Sequence, residues 1–238
     1  NMNKDELNKM IDEREGNLTL AFPALMRKVY LWMALALAIT GFTSYEVSTS
    51  ANLMLFIFEQ EWHFYGLIIA EIALVWYLSA RITRLSLATA TLLFTLYAVL
   101  NGVTLSALFL IFTEESIAQV FFITAGTFGV MSLIGYTTKT DLTSLGKLLL
   151  MALIGLVIAS VVNWFMNSTL LSTVISYVGV VVFVGLTAYD TQAIKRLLAQ
   201  ADDMDEEAQK ISLLGALTLY LDFINLFIYL LRILGKKK

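Results

Sequence analysis

Asp222 lies in the segment LYLDFINLFIYLL (residues 219–231), where an aspartate and an asparagine interrupt a run of Leu, Phe, Ile and Tyr. A carboxyl group in such surroundings either hydrogen-bonds a neighbouring helix as a neutral acid or takes part in proton and cation chemistry. Helical three-four spacing aligns Gly215, Thr218, Asp222, Asn225, Tyr229 and Arg232 on one stripe. Off that stripe, from Leu219 to Leu231, only Tyr220 has a polar group. The polar atoms are confined to a seam, which must face other helices or water. At the bilayer centre an aspartate costs about 2.5 to 3.5 kcal/mol on insertion scales, so something must offset it. Two other acids in apolar sequence, Asp190 and Glu71, are the available partners. Two carboxyl groups in one pocket cannot both ionise cheaply, so they titrate as a unit. A pair of this kind is expected to work as a proton-sensitive gate.

The elements that position these acids follow from composition. Of 238 residues 58% are hydrophobic and 15% charged, with one Pro and no Cys, and the mean hydropathy is +0.77. Soluble domains carry nearer a quarter charged residues. Uncharged stretches at 85–113, 116–138 and 148–189 each exceed the ~20 residues that cross a bilayer. The last is too long for one span and breaks at the polar patch Asn167-Ser168-Thr169. Spans are therefore expected at 29–48, 64–80, 86–112, 117–137, 147–166, 170–194 and 211–234. They define an all-α polytopic membrane protein of seven helices, in which 1–28 is a cytoplasmic N-terminal segment, 29–234 the membrane domain and 235–238 a basic tail. The first apolar segment follows a mixed-charge stretch without a cleavage site and is read as a retained helix rather than a signal peptide.

Lys and Arg set the orientation. Arg27 and Lys28 precede the first span, Arg81 and Arg84 follow the second, Lys139 and Lys147 follow the fourth, and Lys195, Arg196 and Lys210 flank the sixth connection. The intervening loops contain none, so the amino end is expected in the cytoplasm. Seven spans then place Arg232 and Lys236 to Lys238 on the far side, against the rule. Either the last segment folds back, or the tail was carried across once six helices had fixed the topology; the second is expected.

Other features have plainer readings. The run Asp202, Asp203, Asp205, Glu206 and Glu207 reads as a solvated loop, and its spacing is not that of an EF-hand. His63, the sole histidine, lies beside Trp62 and Tyr65 and suits interfacial packing. Thr91, Thr95, Ala98, Gly102 and Ser106, and the pair Gly155 and Ala159, read as close-packing seams. Asp141 is placed to cap the fifth span. The triplet Asn17-Leu18-Thr19 matches a glycosylation sequon but falls on the cytoplasmic side. There is no HExxH or GxSxG motif and no cofactor motif, so no enzyme is expected. The dipeptide Tyr189-Asp190 matches an intramembrane aspartyl protease, yet no glycine-flanked second aspartate accompanies it. Basic residues scattered at helix ends form no nucleic-acid patch. The expected partners are the bilayer, protons and a cation, and the sequence names no protein partner.

Three segments together, GLTAYDTQAIK (185–195), LYLDFINLFIYLLRILG (219–235) and IGYTTKTDLTSLG (134–146), resemble the signatures of the transmembrane Bax inhibitor motif family, over nearly the whole chain beyond about residue 25. The resemblance implies a last helix central in the bundle, wrapped by the other six, and a calcium leak of the bacterial cytoplasmic membrane. It also implies that aspartates of the sixth and seventh spans, matching Asp190 and Asp222, form the pH sensor. Glu71 is then expected near the pore, and an arginine ending the second span, Arg81 or alternatively Arg84, as a latch on Asp190. The segment Ser48 to His63 is longer than in bacterial relatives. Hard oxygen ligands suit Ca²⁺; Asp190, Asp222, Glu71 and Asn225 supply such oxygens, enough for a weak transit site and not for storage. The alternatives are a non-conducting regulator that binds a membrane protease or cell-death factor, and a proton-coupled calcium exchanger.

Overall fold

A computed structural model describes residues 4–199 and 205–238, with side chains from Phe22 onward except Glu61. The sequon at 17–19 therefore has no described side chains, and Asp202 and Asp203 lie outside the described residues. Long apolar runs almost free of Pro become helices because lipid offers the backbone no other hydrogen-bonding partner. In chain order these are α1 (Lys4–Thr49), α2 (Ala51–Phe58), α3 (Glu61–Arg81), α4 (Leu87–Leu105), α5 (Leu108–Ile111), α6 (Glu114–Thr137), α7 (Thr143–Met166), α8 (Thr169–Leu198) and α9 (Glu206–Leu234). Seven of the resulting segments are long and apolar enough to cross a membrane, so the chain is a multi-pass integral membrane protein.

Helix starts carry their own donors' partners. Ser50, Ser86, Thr113, Ser168 and Asp205 each accept the backbone N–H three residues on, which satisfies an amide that has no partner within its own helix. The break between α7 and α8 falls at the polar patch: Asn167 is left-handed, with φ of 49°, and the Asn163 side chain accepts from the Ser168 amide at 3.1 Å.

The expected spans differ from the helices in three places. The first helix does not begin near residue 29 but runs from Lys4 through Pro23. The expected helix over 86–112 breaks at Ser106, whose hydroxyl donates to the Val103 carbonyl at 2.6 Å. The segment 49–63, read as a loop, contains α2, and His63 clamps it through Nδ1 at 2.6 Å from the Phe56 carbonyl and a stacked ring.

The carboxyl-terminal helix crosses and does not fold back. At one end Lys28 donates to Gln209 and Lys210 to the carbonyls of Thr83 and Leu85, which ties together the start of the first span, the α3–α4 turn and the start of α9. At the other end the tail pairs with the α5–α6 connection: the Thr113 amide donates to Lys236 O and the Lys238 amide to Ile111 O, both at 3.0 Å. The basic tail therefore lies on the side opposite Lys28 and Lys210.

Within its apolar window α9 is 67% buried, against 17 to 33% for the other spans, so it is the central helix. It packs on α1, α4, α6 and α8, while α3 stands behind α4 and α7 behind α8. The expected wrapping by six helices is thus two layers deep. Small residues set the closest approaches: a Cβ on Gly102 would meet Thr40 O of α1 at 2.7 Å, and one on Gly135 of α6 would collide with the Ala188 backbone of α8. The α4 seam is a real helix contact. Gly155, by contrast, is exposed and meets nothing within 4 Å; Ala159 packs against the cluster between α7 and α8, so the two do not form one seam.

Candidate functional site

Asp222 sits in the middle of α9, 5% exposed, on the side turned to α8. Its carboxyl group lies beside that of Asp190 on α8. Asp222 Oδ2 is the buried side-chain oxygen that, among the described residues, has no hydrogen-bond donor. Asp190 is half-buried. The α8 backbone is brought to this position by the Gly135 contact and by hydroxyls that cross from α1 through α6: Tyr30 OH to Ser132 Oγ at 2.6 Å, and Ser132 Oγ to Thr191 Oγ1 at 3.0 Å.

The turn of α8 beyond Asp190 grips the α6–α7 connection. Gln192 accepts from the Leu142 amide at 2.9 Å and donates to Thr140 O at 2.8 Å. Lys195 donates to Tyr136 O at 2.7 Å and lies over that ring. Arg196 pairs with Asp141 at 2.7 Å. Asp141 accepts from the Thr143 amide and hydroxyl, capping α7. The Thr143 hydroxyl and amide, then Arg196, hold the Asp141 carboxyl well below the usual carboxylate range. Two of the signature segments thus bind each other, and their polar residues fix the register of α8.

Glu71 belongs to a different site. It is 8% exposed and accepts from Asn101 Nδ2 at 3.2 Å and from the Thr104 hydroxyl. Asn101 Oδ1 accepts from Tyr220 OH at 3.2 Å, Tyr220 OH lies 2.7 Å from Thr40 Oγ1, and Thr40 donates to Ala98 O at 2.9 Å. This polar chain joins α1, α3, α4 and α9. Tyr220 and Asp222 are two residues apart, a rotation of about 200° on a helix of 3.6 residues per turn, so they look to opposite sides of α9. The expected gathering of Glu71 with the two aspartates around one cation is therefore corrected: no group of three acidic or histidine side chains among the described residues is arranged to hold a metal ion.

Asn225 donates back to Leu221 O of its own helix at 2.8 Å. Arg81 ends α3 and Arg84 ends the short turn that follows; both are exposed, and neither forms an ion pair with Asp190. Tyr220, Asn101 and Thr40 had not been singled out. An asparagine, a full amide, in the uncharged 85–113 stretch was a usable signal. A tyrosine off the polar stripe was not, because tyrosine is ordinary in an apolar core.

The fold and its buried polar groups define an integral membrane protein with ionisable side chains at membrane depth, where such groups mark proton or ion pathways. Comparison with known proteins gives the family. The model described as "Inhibitor of apoptosis-promoting Bax1" matches residues 23–238, and the chain belongs to this Bax inhibitor family. It is 51% identical over 214 residues to "Inner membrane protein YbhL" of Escherichia coli K12, covering 90% of this chain and 92% of that one. It is 47% identical over 215 residues to an uncharacterized protein of Rickettsia prowazekii (90% and 89% covered), and 45% identical over 213 residues to one of Borreliella burgdorferi (90% and 92%).

Proposed function

We propose that the protein is a calcium leak pathway of the bacterial cytoplasmic membrane, controlled by proton exchange on Asp190 and Asp222. The observation that carries this reading is Asp222 Oδ2, buried without a donor beside a second carboxyl group. A proton shared by the pair satisfies that oxygen and leaves little charge to draw a cation. Loss of the proton leaves two anionic groups facing each other, which a divalent cation relieves. Two carboxylates are too few oxygens for tight binding, and weak binding is what passage requires. Asn225, one turn further along the same stripe of α9, supplies the next oxygen of the route. In this reading Arg81 or Arg84 acts as a latch only in another arrangement of the bundle, one that carries the end of α3 towards α8. The printed name of the E. coli relative supports an inner-membrane location, and the basic residues at the Lys28 and Lys210 end support a cytoplasmic amino terminus.

The test is calcium flux into vesicles containing the purified protein and a trapped dye, across pH, for wild type, Asp190→Asn and Asp222→Asn. The expected result is flux that varies with pH in wild type and loses that dependence in both variants. Absence of flux would leave a non-conducting regulator, in line with the family's printed description. Uphill calcium movement driven by an imposed pH gradient would replace leak with exchange.

A further inference from the structure

Helices α1 and α6 both pack on α9, yet beyond the contacts of Phe22 with Tyr136 and Tyr30 with Ser132 they stand apart. In the half nearer the carboxyl terminus this leaves a crevice of about 580 Å³, walled by Ala38 and Gly41 of α1 and by Phe121 of α6, with Phe227 of α9 as its floor. Its deep part reaches Thr40, the α1 end of the polar chain to Glu71. The walls are apolar and at hydrocarbon depth, so the molecules surrounding the protein there are acyl chains. The mouth is different: Glu114 lines it together with Phe109, and the Phe109 carbonyl receives the Lys238 ammonium at 2.7 Å. The tail backbone is pinned to Thr113, the residue before Glu114, which holds Lys236 to Lys238 beside an acid. Glu114 forms no ion pair among the described residues, and Lys236 and Lys237 are exposed.

We propose that this crevice is a binding site for one phospholipid with a primary-amine headgroup. An acyl chain fills the space between α1 and α6, the headgroup ammonium donates to Glu114, and the phosphate accepts from the tail lysines. One acid and several lysines, unpaired with each other at the same mouth, match a zwitterion better than a singly charged headgroup. A phosphocholine lipid has the same net charge but no ammonium N–H, so it isolates the contact to Glu114.

The whole protein is purified in detergent, stripped of lipid and titrated with phosphatidylethanolamine, phosphatidylcholine or phosphatidylglycerol of identical chains, with bound lipid and oligomeric state read by native mass spectrometry. One site is expected, favouring phosphatidylethanolamine at least fivefold over the other two. Glu114→Gln is expected to erase the preference over phosphatidylcholine while keeping chain binding. Gly41→Phe is expected to lower occupancy at least tenfold, because a Cβ on Gly41 meets nothing within 4 Å and the ring grows into the crevice. Undiminished binding in Gly41→Phe overturns the proposal, as does preference for phosphatidylglycerol or an unchanged preference in Glu114→Gln. A dimer that dissociates in Gly41→Phe also overturns it, since a second copy would then be the occupant. If Gly41→Phe fails to fold, the exposed Glu114→Gln arm decides.

Discussion

Asn101→Leu probes the chain from Thr40 to Glu71, and its cost is set by counting protons. Thr104 and the Asn101 amide both donate to Glu71, Tyr220 donates to Asn101 Oδ1, and Thr40 donates to Ala98 O. Every donor from Tyr220 onward points to the carboxylate. Leucine in place of asparagine keeps the volume but removes two of these bonds. It leaves one Glu71 oxygen without its donor in a part of the bundle that water does not reach, and leaves the Tyr220 hydroxyl only Thr40 Oγ1, 2.7 Å away, to donate to. Interhelical hydrogen bonds in membranes average about 0.6 kcal/mol and reach about 1.7, so two of them give roughly 1 to 3 kcal/mol. At 1.4 kcal/mol per tenfold, a central value of about 2 kcal/mol is roughly a thirtyfold change in the folding equilibrium. The assay is reversible unfolding in mixed micelles with added sodium dodecyl sulfate, followed by tryptophan fluorescence. A double-mutant cycle with Tyr220→Phe separates the Tyr220–Asn101 bond, with an expected coupling of about 0.5 to 1.5 kcal/mol. A loss below about 0.5 kcal/mol, or no coupling in the cycle, would refute the chain.

Glu71→Gln should destabilise by less than about 1 kcal/mol, because the Asn101 amide can flip so that its oxygen accepts from the glutamine amide and its NH2 donates to the Tyr220 hydroxyl, with Tyr220 then donating to Thr40; a loss as large as that of Asn101→Leu would count against that mechanism. Gly135→Leu is expected to prevent α6 and α8 from closing, since its side chain enters the Ala188 backbone; failure to recover folded protein from membranes, with Gly155→Leu recovered normally, is the readout. Asp141 contributes stability that is complete above the ordinary carboxylate value of about 3.9 and is lost as pH falls towards its depressed folded value. Asp141→Asn should accordingly flatten the acid limb of a stability profile, most visibly below about pH 4, and an unchanged limb would show that the Arg196 and Thr143 contacts contribute nothing.

Much of the molecule was legible without coordinates. The lipid environment follows from charge-free runs longer than a bilayer, the count of seven spans from those runs together with apolar segments that carry an isolated charge, and the break at Asn167 from the polar patch in the longest run. Asp141 as a cap, and the short α6–α7 connection, are local chemistry, in which a carboxylate and the amide two residues on cannot avoid each other. The Ser106 break and the α2 helix were not legible. One rests on a serine hydroxyl turned back onto the Val103 carbonyl of its own helix, a choice open to any serine in a helix, and the other on a histidine clamp across a tight turn.

The sequence by itself determined that several acids must lie within a membrane and that one face of the last helix is polar, because apolar runs and three-four spacing are properties of the chain alone. Only the tertiary structure decided which acids meet. Asp190 joins Asp222 and Glu71 does not, because the two polar side chains Tyr220 and Asp222 leave α9 in nearly opposite directions and a different helix waits on each side. A stripe drawn along one helix can show where its polar atoms lie; it cannot show which neighbour will stand against them.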